Sequence, residues 1–345
     1  MKLVEYKKLY NFSKKILIKC GLNKFTSDSV SFSICQSSLR GVDSHGIKLL
    51  PHYVNSSITG RKNPKAKFKF KKIFPSLITL DADHGYGITA GFKAIDYGVK
   101  VATKQGIAAI SVYNSTHCAA LAPIVLRAAD KGFIAFGFTN ADSLMLSFNG
   151  KSSYFGTNPI CVAAPRVEKE PFCLDMATTG ISWNKLLNFK KTNKKIKPGY
   201  AANSKGLSTS NPNHAKSLFP SGEYKGFGLA SMVEILCGIY STSLFGTHLP
   251  PMYTSPMNKK RKVGQFYIVL RTDANFSSKT FKSRLQKMTD EVRQQPKRAK
   301  EKVILPNDKE VKTKKIRLKN GIPVDNDLIK QFNKLSTKYK INISF

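Results

Sequence analysis

Short apolar runs that end in polar residues recur through the middle of the chain and constrain its fold more than any other feature. Residues 106–112 and 134–140 are rich in small, β-branched and aromatic side chains, which is typical of strands buried in a sheet. Residues 161–165 and 172–176 are shorter runs of the same kind. Helical patterns separate several of these runs, and this alternation predicts an α/β sheet domain from about residue 75 onward.

The segments around these strands have the spacing of amphipathic helices. Residues 1–59 carry apolar side chains near a helical period, with lysines between them, and they predict three helices. The third of these is expected to begin near Ser44. Further helices are predicted at residues 87–105, 117–131, 224–239, 281–293 and 329–335, whereas the polar residues 185–212 are interpreted as an exposed connection.

The charge of the chain is high, with 57 Lys and Arg against 21 Asp and Glu and a formal net charge of +36. Lysine dominates this excess, whereas bidentate contacts to phosphates and bases favour arginine. The basic residues are spread over several segments, none of which has zinc-finger, RNP-type or basic-zipper spacing. We therefore predict no specific nucleic-acid partner and interpret the charge as a property of the surface.

Cysteine spacing and hydropathy indicate the compartment. The six cysteines are scattered without a C-x-x-C pair, and the sequence has no H-E-x-x-H motif, so we expect neither a disulfide framework nor a metal centre. No apolar run approaches the roughly 18 residues of a membrane span. The N-terminus alternates charged and apolar residues, unlike a signal peptide. These observations predict a cytoplasmic protein with no membrane partner.

Two histidines and one aspartate stand at positions suited to chemistry. His45 lies in a D-S-H-G motif at the expected start of a helix, where free N–H groups and the helix dipole favour an anion such as a carboxylate. His117 and Asp142 follow two successive buried strands, and ligands of α/β sheets bind at the carboxyl ends of strands. For each residue taken alone, a capping or core role is the alternative.

The phosphate-binding motifs of the common nucleotide-binding folds are absent from the sequence. There is no G-x-G-x-x-G after a strand and no G-x-x-x-x-G-K-[ST], so a Rossmann dinucleotide site is not predicted. Three segments remain candidates for ligand contacts: the turn at 155–159, the strand end at 175–179 and the helix start at 223–228. In the last of these, Lys225 and Gly226 would suit a phosphate.

Five segments together resemble the malate/L-lactate dehydrogenase family of NAD(P)-dependent oxidoreductases, which is distinct from the Rossmann malate and lactate dehydrogenases. These segments are residues 39–46, 49–53, 155–159, 174–178 and 224–229, and their order and spacing carry the resemblance. It implies an L-sulfolactate dehydrogenase-like α/β fold, with helical N- and C-terminal segments around a mixed-sheet domain and a non-Rossmann cofactor site. The corresponding divisions are residues 1–74, 75–295 and 296–345, the last returning to the helical domain.

The resemblance also implies a function and assigns residues to it. Family members are expected to be homodimers that pass a hydride between NAD or NADP and a small 2-hydroxy or 2-keto acid, of the malate, lactate, sulfolactate or ureidoglycolate type. His117 is then the acid/base catalyst, His45 shares protonation and carboxylate binding, and Asp142 orients His117 or contacts the nicotinamide ribose. The substrate-binding candidates are Ser44, Lys48, Tyr53 and Thr157, and the cofactor-binding candidates are Asp175, Met176, Ala177, Thr178, Lys225, Gly226 and Asn307.

Several positions depart from the family pattern. The replacements are Leu49 for an arginine, Cys118 and Ala119 for an aromatic residue and a glycine, and Glu223 and Asn307 for glycines. Lys48 becomes the nearest cation after the D-S-H-G motif, and asparagine is among the residues that best tolerate a positive φ. Two alternatives stay open at this point: a reductase of cyclic imine acids, and a degenerate family member that acts as a binding protein.

Overall fold

The structure, a computed structural model, describes residues 1–168 and 170–342. The helices are α1 Tyr6–Lys19, α2 Lys24–Leu39, α3 Leu50–Ile58, α4 Gly87–Gln105, α5 Ala122–Ala129, α6 Trp183–Thr192, α7 Tyr224–Glu234, α8 Ser278–Gln294, α9 Asp308–Asn320 and α10 Asn326–Lys338. The strands are β1 Lys2–Val4, β2 Lys69–Phe74, β3 Leu77–Asp81, β4 Ile107–Ser115, β5 Ile134–Thr139, β6 Met145–Leu146, β7 Ser153–Phe155, β8 Ile160–Ala164, β9 Phe172–Met176, β10 Ala201–Ala202, β11 Ser217–Leu218, β12 Val263–Leu270 and β13 Ile322–Val324. A π-helical turn, Ile235–Ile239, extends α7.

A seven-stranded sheet lies at the centre of the described chain, in the order β2-β3-β4-β12-β5-β8-β9. β3 and β4 are parallel, whereas the other neighbouring pairs in this sheet are antiparallel. β12 lies between β4 and β5 and is antiparallel to both, so β4 and β5 run in the same direction. The expected mixed-sheet α/β fold is thereby confirmed, and the carboxyl ends of β4 and β5 meet at one edge.

Helices cover both faces of this sheet. α4 contacts β4 and β12, and α5 contacts β5 and β8. Successive residues of a strand point to opposite faces: Tyr267 of β12 belongs to the core cluster under α4 and α5, whereas Phe266 packs with Val233 and Cys237 of α7 and its extension. The central sheet is therefore buried on both sides, which explains the continuous apolar runs of its strands.

The two ends of the chain meet. β1 pairs antiparallel with β13, with Lys2 opposite Val324. Phe12 of α1 packs against Phe332 of α10, and their ring centroids are 5.2 Å apart. One apolar core cluster contains residues of α1, α2, α3, the sheet and α10. The C-terminal segment thus packs on the N-terminal helices, while the divisions after residues 74 and 295 remain a prediction.

Several elements differ from the sequence-based expectation. The helix expected at 117–131 begins only at Ala122, because Ala119 has a φ of 58°, which a right-handed helix does not allow. The expected connection at 185–212 contains most of α6, which Ser182 caps by accepting from the Lys185 N–H. α9 is missing from the prediction because it buries no residue, so its sequence carries no apolar stripe.

None of the described helices combines the length and the apolar character that a bilayer span requires. Within residues 1–168 and 170–342, no group of three or more His, Cys, Asp or Glu is arranged to hold a metal ion. The six cysteines are free, and the sulfurs of Cys161 and Cys173 lie 3.9 Å apart.

Candidate active site

The sheet edge at which β4 and β5 end carries two of the predicted site residues. Ser115 at the end of β4 lies opposite Val263 of β12, and Thr139 at the end of β5 lies opposite Gln265. His117 and Asp142 follow these strand ends within three residues. Because β4 and β5 run in the same direction, both residues emerge at the same edge, as the sequence predicts.

A pair of stacked imidazoles lies at this edge. The rings of His45 and His117 have centroids 5.8 Å apart and an interplanar angle of 26°. The Ser44 hydroxyl shares a 2.9 Å hydrogen bond with His45 Nδ1, and the Tyr53 hydroxyl shares one of 2.9 Å with His117 Nδ1. Among the described residues, neither Nε2 has a hydrogen-bond partner, so each ring keeps one nitrogen for a ligand. Four predicted residues are therefore brought together.

The turn that carries His45 is fixed from the other end of the chain. Asp43 begins a single 3₁₀ turn, Asp43–His45. Arg317 of α9 pairs with it through two hydrogen bonds, from Nη1 to Oδ1 at 2.6 Å and from Nη2 to Oδ2 at 2.9 Å. A bidentate pair of this kind restricts orientation as well as distance. The expected helix start at Ser44 is thus a 3₁₀ turn before α3.

Both imidazoles are neutral at pH 7. Burial lowers the pKa of His45 to about 4, and the charge of Lys48 adds to this effect. Burial also lowers the pKa of His117 well below its ordinary value, reinforced by His45, Lys62 and Arg261. A neutral imidazole can accept a proton, which is the property that a general base needs.

Asp142 anchors the loop of residues 250–261, which precedes β12. Its carboxylate accepts a 2.6 Å hydrogen bond from the Met252 N–H and forms an ion pair with Arg261. Arg261 also donates from Nε to the Pro250 carbonyl at 2.8 Å. No hydrogen bond between Asp142 and His117 occurs in the described part of the chain, where the partner of His117 Nδ1 is Tyr53. Asp142 therefore contacts Arg261 and not His117, while the alternative contact with a nicotinamide ribose stays a prediction.

A cavity of about 810 Å³ opens beside His45. The predicted residues in its walls are Ser44, His45, Thr157, Asp175, Met176, Ala177 and Asn307. Three cations, Arg40, Lys185 and Lys309, also line it, together with the carboxylate of Glu310, and Arg40 pairs with Glu170. Pockets of roughly 300–1,000 Å³ are usual for small molecules and cofactors, so the size of this cavity suits such a ligand, and Lys185 and Lys309 offer charges to an anionic one.

Two polar residues of the cavity walls are held by specific contacts. Asp175 lies next to the end of β9 and accepts a 2.7 Å hydrogen bond from the Ala122 N–H at the start of α5. Its side chain is exposed to the cavity, and partial desolvation by the cavity walls raises its pKa to about 6. Asn307 has the positive φ expected for it, 77°, and accepts a 3.1 Å hydrogen bond from Arg40. These contacts order the walls before any ligand binds.

The remaining predicted residues lie elsewhere. Lys48 and Lys225 are exposed and do not line the cavity in the described part of the chain. Thr178 is buried, and its hydroxyl donates to the Thr157 carbonyl at 3.0 Å. Gly226 is buried where a Cβ would collide with the Ser221 carbonyl. Leu49, which replaces the family arginine, is 3% exposed and packs in the core. None of these side chains lines the cavity in the described part of the chain.

Several charged residues are buried although the sequence did not predict it, among them Arg61, Lys62 and Glu234. Arg61 and Lys62 begin a lysine-rich run that suggested solvent exposure, yet they are only 1% and 2% exposed. Glu234 is 3% exposed, and it accepts hydrogen bonds from the Gly246 N–H and from the amides of Asn140 and Asn158. Its position within the apolar run 232–236 is a sequence signal for a buried carboxylate. Arg61 and Lys62 carry no such signal.

Glu223 is strained. It precedes α7 with φ 55° and ψ −119°, a region that essentially only glycine occupies. We expect Glu223→Gly to raise the free energy of unfolding by about 1 kcal/mol, because glycine relieves this strain. Urea denaturation measures the change. Glu223→Ala keeps the strain and should show no comparable gain; equal stabilisation by both variants would contradict the backbone explanation.

Comparison with known proteins identifies the family. A family model described as malate/L-lactate dehydrogenase matches residues 4–333. A malate dehydrogenase of Pyrococcus abyssi is 31% identical over 341 residues, covering 96% of this chain and 93% of that protein. The structure of a malate dehydrogenase from Entamoeba histolytica has a TM-score of 0.94 at 25% identity, covering 100% of this chain and 99% of its own. The sulfolactate dehydrogenase from Methanocaldococcus jannaschii has a TM-score of 0.92 at 26% identity, covering 99% and 98%. The match over nearly the whole length establishes that this chain belongs to the malate/L-lactate dehydrogenase family of oxidoreductases.

Proposed function

We propose that the protein is an NAD(P)-dependent dehydrogenase that transfers a hydride between a nicotinamide cofactor and a small 2-hydroxy or 2-keto acid. The observation that carries this proposal is a pair of stacked, neutral imidazoles, each with an uncommitted Nε2, of which His45 lines the cavity. The names of its relatives, malate and sulfolactate dehydrogenase, point to the same substrate class.

The cavity residues fit a nicotinamide dinucleotide. The cations Arg40, Lys185 and Lys309 would lie near its phosphates, and Asp175, Met176 and Ala177 contribute the part of the lining at the end of β9. Asn307 and Arg40 are already joined by a hydrogen bond, so the wall needs little reorganisation. A nicotinamide bound there would supply or accept the hydride.

The chain's own residues would handle the proton. His117 is held at Nδ1 by Tyr53, so its Nε2 accepts the substrate hydroxyl proton during oxidation and returns it during reduction. His45, oriented by Ser44 and lining the cavity, donates from Nε2 to the substrate carboxylate or keto oxygen. Burial keeps both rings neutral, so the Nε2 of His117 is free to accept this proton.

The direct test is a cofactor-oxidation assay. NADH and NADPH are each offered with a panel of small 2-keto acids, which includes the keto forms of malate, lactate and sulfolactate, and with cyclic imine acids. Turnover of a keto acid with either cofactor supports the proposal. Turnover of imine acids alone would replace it with the imine reductase, and no turnover with intact folding would favour a binding protein.

We further infer that the protein works as a homodimer. α7 and its π-helical extension expose an apolar stripe formed by Leu229, Met232, Ile235 and Ile239, of which Ile235 is 58% and Ile239 55% exposed. Contiguous exposed apolar surface usually marks an interaction site. α7 begins three residues after Ser221, which lines the cavity, so a second copy seated on this stripe would contact the helix that follows the cavity wall.

Charge on this stripe is expected to separate the subunits. The double variant Ile235→Glu, Ile239→Glu should sediment as a monomer at a concentration at which the parent is a dimer, because the interface would bury two unpaired carboxylates. Ile316→Glu is the matched control, since Ile316 is 49% exposed on α9, away from the stripe. A monomeric parent, or a double variant that remains dimeric, would contradict the inference.

A further inference from the structure

Lys62 is a buried cation without a hydrogen-bond acceptor. Its side chain is 2% exposed, and its Nζ has no partner among the described residues. The ammonium lies over two aromatic rings, 3.6 Å from the Tyr53 ring centroid and 4.4 Å from that of Tyr86. Aromatic faces attract cations most strongly where water is excluded. Among the described residues, the Lys62 ammonium is therefore stabilised by the faces of two tyrosine rings and by no hydrogen bond.

The ring beneath Lys62 is part of the candidate site. The Tyr53 hydroxyl shares a hydrogen bond with His117 Nδ1 at 2.9 Å. Tyr53 and Tyr86 together form an aromatic box around the Lys62 ammonium, and the Tyr86 hydroxyl fixes this box by donating to the Tyr53 carbonyl at 3.0 Å. The Lys62 N–H donates to the Ser56 carbonyl at 2.9 Å, so the backbone of Lys62 is fixed as well. The Tyr53 side chain thus contacts both the buried ammonium of Lys62 and His117, the candidate acid/base residue.

The other charged and titratable groups around His117 are already paired or neutral. Arg61 donates to carbonyls of residues 252, 255 and 256, and Arg261 pairs with Asp142. His45 and His52 are held neutral by burial, which lowers their pKa values to about 4 and about 3. Burial raises the pKa of the Cys118 thiol to about 12 and that of Tyr253 above its ordinary value, so both are neutral too. Lys62 differs from the two arginines in that its Nζ has no hydrogen-bond acceptor among the described residues.

We propose that Lys62 is a positioning residue for the acid/base chemistry of His117. Its contact with the Tyr53 ring fixes the Tyr53 hydroxyl at hydrogen-bond distance from His117 Nδ1, and its charge opposes protonation of the imidazole. This inference rests on the proposed function for its catalytic meaning, but its electrostatic part concerns His117 in the free protein. Like charges at short distance disfavour each other. With Lys62 in place, His117 stays in the form that accepts a proton, and it gives up an acquired proton readily.

Burial also acts on Lys62 itself. Desolvation, with Arg261 nearby, lowers the pKa of its ammonium well below the ordinary value, whereas the two ring faces favour the charged form. A neutral amine would still fill the box but would exert no charge on His117. The measurable difference between these two states is the proton affinity of His117.

The test is an NMR titration of histidine Cε1–H signals in the free, full-length protein, with His117 assigned by the signal lost in His117→Ala. We expect Lys62→Met, which keeps the length of the side chain but removes the charge, to raise the titration midpoint of His117 by about one pH unit, a tenfold change in proton affinity. Lys62→Arg should restore the midpoint to within a few tenths of a unit.

A matched control separates charge from packing. Lys93 lies over the Phe25 ring at 4.7 Å, away from the site, and Lys93→Met removes a comparable cation–π contact. It should leave the His117 midpoint unchanged, and thermal melting confirms that each variant is folded. If Lys62→Met does not fold, Lys62→Gln provides the same loss of charge with a polar end.

The outcomes distinguish this inference from the proposed function. A raised midpoint, together with an acid limb of hydroxy-acid oxidation moved to higher pH, supports both. A raised midpoint in a protein that turns over no acid or imine supports Lys62 and contradicts the function. Equal midpoints in the parent and Lys62→Met overturn the inference, even if the enzyme is active.

Discussion

The variant His117→Ala is expected to oxidise 2-hydroxy acids with a kcat lowered by about two to four orders of magnitude, the usual contribution of general acid–base catalysis. The imidazole that accepts the hydroxyl proton is lost, whereas the cavity beside Ser44 and His45 is retained. We therefore expect the KM to change far less than the kcat. Steady-state kinetics at a pH where the parent is active measures both.

The variants His214→Ala and His45→Ala are the controls that show whether the loss of kcat is specific to His117. His214 is exposed and lies outside the site, so His214→Ala should keep nearly the parental rate. His45→Ala should raise the KM more than it lowers the kcat, because His45 is assigned to the substrate anion. If His45→Ala loses more kcat than His117→Ala, the acid/base role belongs instead to His45, the imidazole that lines the cavity. Near-parental turnover by His117→Ala excludes it as the acid/base group.

Local patterns in the sequence predict the strands of the site and its edge. The runs at 106–112 and 134–140 correspond to β4 and β5 because strands buried on both faces are apolar throughout. His117 and Asp142 then share an edge, as expected. The sequence does not predict that β12, more than 120 residues after β5, lies between the two strands. Pairing over such a distance leaves no local signal.

The burial of Arg61 and Lys62 could not be predicted from the sequence either. Lys62 lies next to Arg61 in a basic run, and neither differs in local pattern from the exposed lysines that follow. Burial of Arg61 depends on carbonyls of residues 252–256, and that of Lys62 on the faces of Tyr53 and Tyr86. Such partners exist only in the folded chain. The roles of His45 and His117 likewise came from the family resemblance rather than from their spacing.

Asp142 is the residue at which the sequence and the geometry differ most, and Asp142→Asn is expected to lower the free energy of unfolding by about 3 kcal/mol. Its amide can still accept from the Met252 N–H, but Arg261, whose side chain is 3% exposed, loses the carboxylate that neutralises it. Removing one partner of a buried pair leaves an uncompensated charge. Urea denaturation measures the loss.

The double variant Asp142→Asn, Arg261→Met decides between the two roles of Asp142. If the carboxylate only anchors the loop through Arg261, removing both charges should restore most of the stability and, with it, the kcat. If Asp142 instead orients His117, stability would return while the kcat remained low, because the imidazole would still lack its carboxylate. The hydrogen bond between His117 Nδ1 and the Tyr53 hydroxyl already occupies the nitrogen that such a carboxylate would need. We therefore expect recovery of both quantities.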